Sequence, residues 1–316
     1  MLRIGSILLA VTASVPAEQS LPKPERVTYP SPDGVQIVAD YYPPKTSEEH
    51  SAPVVILLHQ YPSTRGSWAP LVPPFHEAGY AVLAPDLRGH GESIEPKSMN
   101  LEEGRKGQSP KHYRAAYQDV LGAYDWLRGR KEADLSRFAL IGSSIGSSIA
   151  LDYAARDKSV DVVVCLSPGP NYFGVDSRRD LASYGKRPVL LISPRNERDR
   201  SETLGKLSPG ATVKIVEDSD LHGTFMFGKV PDIEKTIFEF VQAHIGSTTK
   251  DPVVASLKAK ANGKYHKPTC PHAQPDEKGP STISAGNLRL FSSAAEAEAR
   301  GLTPCQRCCG AKAKDK

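Results

Sequence analysis

A β-strand wetted on one face alternates polar and apolar residues, so a run without any polar residue is covered on both faces. Val54-Val55-Ile56-Leu57-Leu58 is such a run. Ala81-Val82-Leu83-Ala84, Phe138-Ala139-Leu140-Ile141 and Val189-Leu190-Leu191-Ile192 repeat it, and residues 160–164 and 211–216 add two looser examples. Between them, helical periodicity recurs near residues 68–78, 112–128, 145–155 and 233–244. Strands alternating with helices predict an α/β domain with a doubly wound, mostly parallel sheet between two helix layers. Ser31-Pro32-Asp33-Gly34 is a turn sequence between strand-like residues 26–29 and 35–41, so an antiparallel hairpin opens the sheet. The domain spans residues 25–245.

Different segments flank this domain. Arg3, an apolar stretch over residues 4–15 and the small-residue site Val15-Pro16-Ala17 read as a secretory signal peptide, residues 1–17. The stretch is too short to cross a bilayer, and no later segment is long and apolar enough to do so. The expectation is an exported protein, periplasmic or secreted. Residues 246–262 are rich in Lys, Ala, Ser and Thr and read as a linker. A small module over residues 263–311 follows, with four of the five cysteines. The chain carries 40 Lys and Arg against 36 Asp and Glu, and twelve of the former but only six of the latter follow Gly246. The tail thus holds all of the positive excess, and only there does charge suggest an anionic partner.

Gly142-Ser143-Ser144-Ile145-Gly146 joins an apolar run to a helical pattern. In a strand-to-helix turn this sharp, the residues two before and two after the central one nearly touch, so both must be very small. Ser144 as the central residue places glycine at both positions; Ser143 would place Ile141 and Ile145 there. The helix start behind Ser144 favours developing negative charge. Ser144 is therefore the candidate nucleophile.

With Leu57-Leu58-His59-Gln60-Tyr61-Pro62 and Ala84-Pro85-Asp86-Leu87-Arg88-Gly89-His90-Gly91-Glu92-Ser93, this pattern resembles the α/β-hydrolase family over about residues 25–245. The resemblance implies an α/β-hydrolase fold and a serine hydrolase that forms an acyl-enzyme on Ser144 and needs no cofactor for catalysis. It implies an oxyanion hole from the backbone N–H groups of Tyr61 and Ile145, with Gln60 standing where the family usually has glycine. Family order is serine, acid, histidine, which places the base after Ser144. Of the histidines there, His244 ends a helix and His266 and His272 lie in the tail. His222, in a short loop between the last strand and last helix, is the expected base. For the acid, Ser193-Pro194-Arg195-Asn196-Glu197-Arg198-Asp199 offers Glu197, favoured by its distance from the strand end, with Asp199 as rival. The expected substrate is a small-molecule or lipid-like carboxylic ester or thioester. Residues 167–187 leave little room for a large cap, and the polar stretch 94–111 offers one rim instead. A non-catalytic binding protein of the same fold is the alternative.

In the tail, His266-x3-Cys270 and Cys305-x2-Cys308 have ligand spacing for one structural, four-coordinate zinc. Metal binding would supply most of the folding free energy of so small a module. His272 and Cys309 are spare donors, and disulfides are the alternative in an exported protein. With Phe291-Ser292-Ser293-Ala294-Ala295-Glu296-Ala297-Glu298-Ala299-Arg300-Gly301 ahead of Pro304-Cys305, the tail resembles the metal-binding domain of the DNA repair protein Ada. That family's first ligand is a methyl-accepting cysteine. His266 stands at that position here, so methyl transfer is not expected, and nucleic-acid binding through the basic tail remains a second reading beside a structural appendage. Cys165 falls in a core strand and reads as a buried hydrophobe.

Overall fold

The computed structural model of the protein describes residues 21–45, 51–246, 253–256, 264–266, 288–291, 298 and 302–305. The expected signal peptide, Cys270, His272, Cys308 and Cys309 lie outside these residues.

An eight-stranded sheet forms the middle layer. Its strands are β1 (Glu25–Pro30), β2 (Gln36–Tyr42), β3 (Ala52–Leu58), β4 (Ala81–Pro85), β5 (Ala133–Ser143), β6 (Val162–Leu166), β7 (Val189–Pro194) and β8 (Ala211–Val216). They lie in the order β1-β2-β4-β3-β5-β6-β7-β8. The opening hairpin β1–β2 and the β2–β4 pair are antiparallel, and all other pairs in this sheet are parallel. The parallel register sets the ends level: Leu58 lies opposite Gly142, Ser143 opposite Leu166, and Leu166 opposite Ile192. Loops leaving the carboxyl ends of β3, β5, β6 and β7 therefore meet along one edge, where open α/β sheets place their ligand crevices.

The helices are α1 (Val72–Glu77), α2 (Leu101–Lys106), α3 (Pro110–Arg114), α4 (Tyr117–Leu127), α5 (Ile145–Arg156), α6 (Ser177–Tyr184), α7 (Arg198–Gly205) and α8 (Ile233–His244). Alternation along the strands divides the core in two. Val54, Ile56 and Leu58 of β3 pack with α4, α5 and α6, whereas Val55 and Leu57 pack with α1 and α8. All five side chains are fully buried, and burying one of this size contributes about 1.5–3 kcal/mol. That is why the run contains no polar residue.

Two sequence expectations differ from the fold. The helical pattern over 112–128 is two helices, because Ala115, Ala116, Gln118 and Asp119 each donate to the carbonyl three residues back. Asp119 is fully buried there and binds the Arg88 guanidinium, which also meets Asp33. This ion cluster ties the loop after β4 to α4. Second, the stretch expected as linker contains β9 (Val253–Ser256), part of a small sheet with β10 (Lys264–His266), β11 (Leu288–Phe291) and β12 (Thr303–Pro304) in the order β11-β9-β10-β12. The β-branched pair Val253-Val254 starts that sheet inside a segment whose composition is otherwise polar.

Candidate active site

Ser144 is the single residue between β5 and α5. Its backbone, at φ 52° and ψ −118°, is in a region that non-glycine residues rarely occupy. Its N–H donates to the Leu166 carbonyl at 2.8 Å, which ties the turn to the end of β6. Both flanking glycines are required by space. A Cβ on Gly142 would lie 2.3 Å from the Gly146 carbonyl oxygen, and one on Gly146 would lie 2.1 Å from that of Leu58. The second approach brings the loop after β3, with Tyr61, beside the first turn of α5, which opens at Ile145. Ser143 is fully buried and donates its hydroxyl to Gln60 Oε1 at 2.7 Å, so it is already engaged.

His222 caps the short 3-10 turn Gly223–Met226 after β8. Its Nδ1 lies 2.7 Å from Glu197 Oε1, and Glu197 ends the 3-10 turn Arg195–Glu197 after β7. Neighbouring loops thus carry the two groups. Asp199, in the first turn of α7, is exposed. Among the described residues its carboxylate is not the one that meets His222. The surrounding arginines are mostly spoken for: Arg195 pairs with Asp220, and Arg198 with Glu202 and Glu217. Burial works against ionisation of Glu197, but contacts with His222, Ser167 and Arg200 outweigh it and hold the carboxyl below its ordinary range.

Comparisons with known proteins bear on the fold and on the tail. Residues 53–185 match the family described as alpha/beta hydrolase fold, and residues 254–310 match the metal binding domain of Ada. The Pyrococcus furiosus esterase Pf2001 superposes with a TM-score of 0.54 at 18% identity, covering 75% of this chain and 96% of that one. A dienelactone hydrolase from Anabaena variabilis gives 0.55 at 17% identity, covering 72% and 100%. The domain has the α/β-hydrolase fold. Among curated proteins, Epoxide hydrolase A of Mycobacterium tuberculosis is 49% identical over 51 residues, 16% of each chain. An uncharacterized protein of that organism is 29% identical over 143 residues, 45% of each. The chain therefore spans less than half the length of these curated relatives.

Within the α/β-hydrolase domain, aromatic rings from the loops after β3 and β6 and from α3 meet one another. Tyr61 contacts Phe173 edge-on at 5.6 Å between centroids, and Phe173 meets Tyr113 of α3 at 4.7 Å. The guanidinium of Arg105, on α2, lies 6.0 Å from the Tyr61 ring. The polar stretch 94–111 thus contributes a rim, built from α2 and the start of α3. Sequence reasoning missed Ser167 and Tyr172. Ser167 follows β6 with φ 49°; its hydroxyl accepts the Gly223 N–H at 2.8 Å and its carbonyl accepts the Tyr172 hydroxyl at 3.1 Å. Burial, with the Glu197 charge, raises the Tyr172 phenol. A serine and a tyrosine in a Pro- and Gly-rich loop carry no sequence signal of such contacts.

The other histidines near the site brace loops. His59 Nε2 accepts the Leu87 N–H at 2.9 Å, which leaves the proton on Nδ1 to donate to the Gln60 carbonyl, also at 2.9 Å. Burial pushes His59 down to about 4 and His90 down to about 3. Both are neutral when folded and take up protons below about pH 6.5 when unfolded. Their contribution to stability is complete above that pH and declines as pH falls toward 4, by about 1.4 kcal/mol per pH unit for each imidazole. Urea unfolding followed by fluorescence of Trp68 and Trp126, both in this domain, is expected to show that decline. A flat profile between pH 6.5 and 4 would contradict the neutral assignment.

In the tail, parallel pairing matches Lys264 with Thr303 and Tyr265 with Pro304. His266 ends β10 and Cys305 directly follows β12, so the backbone places two of the four expected ligands just beyond the last paired positions. Cys305 is buried. Among the described residues no three metal-binding side chains cluster, and no helix is long and apolar enough to cross a membrane.

Proposed function

We propose that the protein is a serine hydrolase of carboxylic esters or thioesters, working through an acyl-enzyme on Ser144. The observation that carries this reading is the His222–Glu197 pair, held at 2.7 Å along the sheet edge where the Ser144 turn also ends. Ser144 Oγ attacks the substrate carbonyl while His222 Nε2 takes its proton, with Glu197 holding the Nδ1 tautomer. The tetrahedral oxyanion is received by the backbone N–H groups of Tyr61 and Ile145; one such donor is worth about 3–4 kcal/mol. His222 then protonates the leaving alkoxide or thiolate. A water molecule, deprotonated by the same imidazole, attacks the acyl-enzyme and releases the acid. Rings of Tyr61, Phe173 and Tyr113 favour an apolar acyl or alcohol group beside the serine.

Some relatives are epoxide hydrolases by name, and chemistry distinguishes that alternative. A serine that opened an epoxide would become an ether, with no carbonyl for water to attack, and the enzyme would stop after one turnover. An acyl-serine ester has that carbonyl. A fluorophosphonate probe tests the reading: the folded wild-type protein is expected to label, and Ser144→Ala and His222→Ala are not. A folded wild type that stays unlabelled would favour a binding protein.

The tail is proposed as a structural zinc module held by His266, Cys270, Cys305 and Cys308. One imidazole and three thiolates suit tetrahedral zinc, and the position of His266 and Cys305 next to the paired residues of β10 and β12 supports one shared ion. Elemental analysis of the full chain is expected to find about one zinc per protein, lost in Cys305→Ser. Less than half an equivalent in reduced protein would sink the proposal. The protein is further proposed to be exported with residues 1–17 removed, which the intact mass of the protein recovered outside the cytoplasm will reveal.

A further inference from the structure

Gln60 is 2% exposed, beside the nucleophile turn, yet it belongs to neither the nucleophile, base nor acid. Its side-chain oxygen gathers three donors from two distant parts of the chain. Ser143 Oγ donates at 2.7 Å, the Thr224 N–H at 2.8 Å and Thr224 Oγ1 at 3.2 Å. The Thr224 N–H can only donate, so it fixes which end of the amide faces inward. Ser143 immediately precedes Ser144, and Thr224 lies two residues after His222. Between them, Gly223 has φ +58°, and a Cβ there would lie 2.1 Å from Gln60 Oε1 and 2.3 Å from Ser143 Oγ. The histidine loop is therefore pressed directly onto the Gln60–Ser143 pair.

The same loop is held from its other side by the 2.8 Å bond from Gly223 N–H to Ser167 Oγ. The main chain of Gln60 is fixed as well, since its carbonyl accepts from His59, which is itself held by Leu87. Tyr61, the proposed oxyanion donor, is the next residue. One buried amide thus joins the nucleophile turn, the base loop and the oxyanion loop, in surroundings where hydrogen bonds are strong and unmet donors costly.

We propose that Gln60 is the positioning residue of this site: its side-chain oxygen sets the placement of the His222 loop relative to Ser144. This rests on the serine hydrolase reading. Productive proton transfer needs the imidazole within hydrogen-bond reach of Oγ, and a displacement of about 1 Å costs about 100-fold in rate.

The test uses the full chain, with hydrolysis of p-nitrophenyl butyrate and the rate of fluorophosphonate labelling as readouts. Gln60→Met keeps the length and removes the acceptor; kcat and labelling are expected to fall about 100-fold, with KM little changed. Gln60→Glu keeps acceptor oxygens and is expected to retain most of kcat. Its added charge favours the His222 imidazolium, so the acidic limb of its pH–rate profile should move up by about one pH unit. Wild-type kcat and labelling in Gln60→Met would overturn the proposal. So would equal losses in both variants accompanied by equal falls in melting temperature, which mark a purely structural role. Should Gln60→Met fail to fold, Gln60→Glu decides, and an unmoved acidic limb overturns the proposal. A folded wild type that neither labels nor turns over defeats the serine hydrolase reading itself and this inference with it.

Discussion

Replacing Ser144 with alanine is expected to lower kcat for ester hydrolysis by about a millionfold, equivalent to about 8 kcal/mol of barrier. In the proposed mechanism, Ser144→Ala removes the atom that forms the acyl-enzyme. Ser143, next in the chain, is fully buried with its hydroxyl committed to Gln60. His222→Ala is expected to cost nearly as much, because an unassisted hydroxyl is a poor nucleophile at neutral pH. The double variant should be no worse than either single one, since the two side chains act in one step. Steady-state kinetics with p-nitrophenyl esters, on variants whose melting temperatures match wild type, measures this. A Ser144→Ala protein retaining about 1% of wild-type kcat would move the nucleophile elsewhere.

Glu197→Gln is expected to lower kcat by about 10⁴-fold, whereas Asp199→Ala leaves it unchanged. Glu197 presents an ionised oxygen to His222 Nδ1 at 2.7 Å, and its carboxyl sits below the usual range despite partial burial. It therefore stays charged throughout the neutral range, and in the proposed mechanism it stabilises the imidazolium formed as Ser144 attacks. An amide in its place can turn its NH₂ to Nδ1 and hold the imidazole in the wrong tautomer. Asp199 is exposed in the first turn of α7, where water screens its charge. Comparing the two variants at the pH plateau decides between them. A larger loss in Asp199→Ala would reverse the assignment and require the loop after β7 to rearrange on substrate binding.

The parts of this protein legible in its sequence are those governed by near neighbours in the chain. Uninterrupted apolar runs marked β3, β4 and β7 because both faces of those strands are buried, and the alternation with helices followed. The Ser144 turn was legible because its two glycines answer a steric demand within five residues. Chain order pointed to His222 because a strand and a helix bracket its loop. The short helices α6 and α7, mostly polar, carried too few apolar positions to show a period. Glu197 and Asp199 are chemically alike two residues apart, and only the fold of the loop after β7 turns one toward His222 and the other to water. Gln60 registered in the sequence as a departure from glycine, but its partners lie 83 and 164 residues away. Propensity, periodicity and turn chemistry act over a few residues. Which distant donor meets a given acceptor is decided when the sheet register brings the strand ends level, and no local pattern records that meeting.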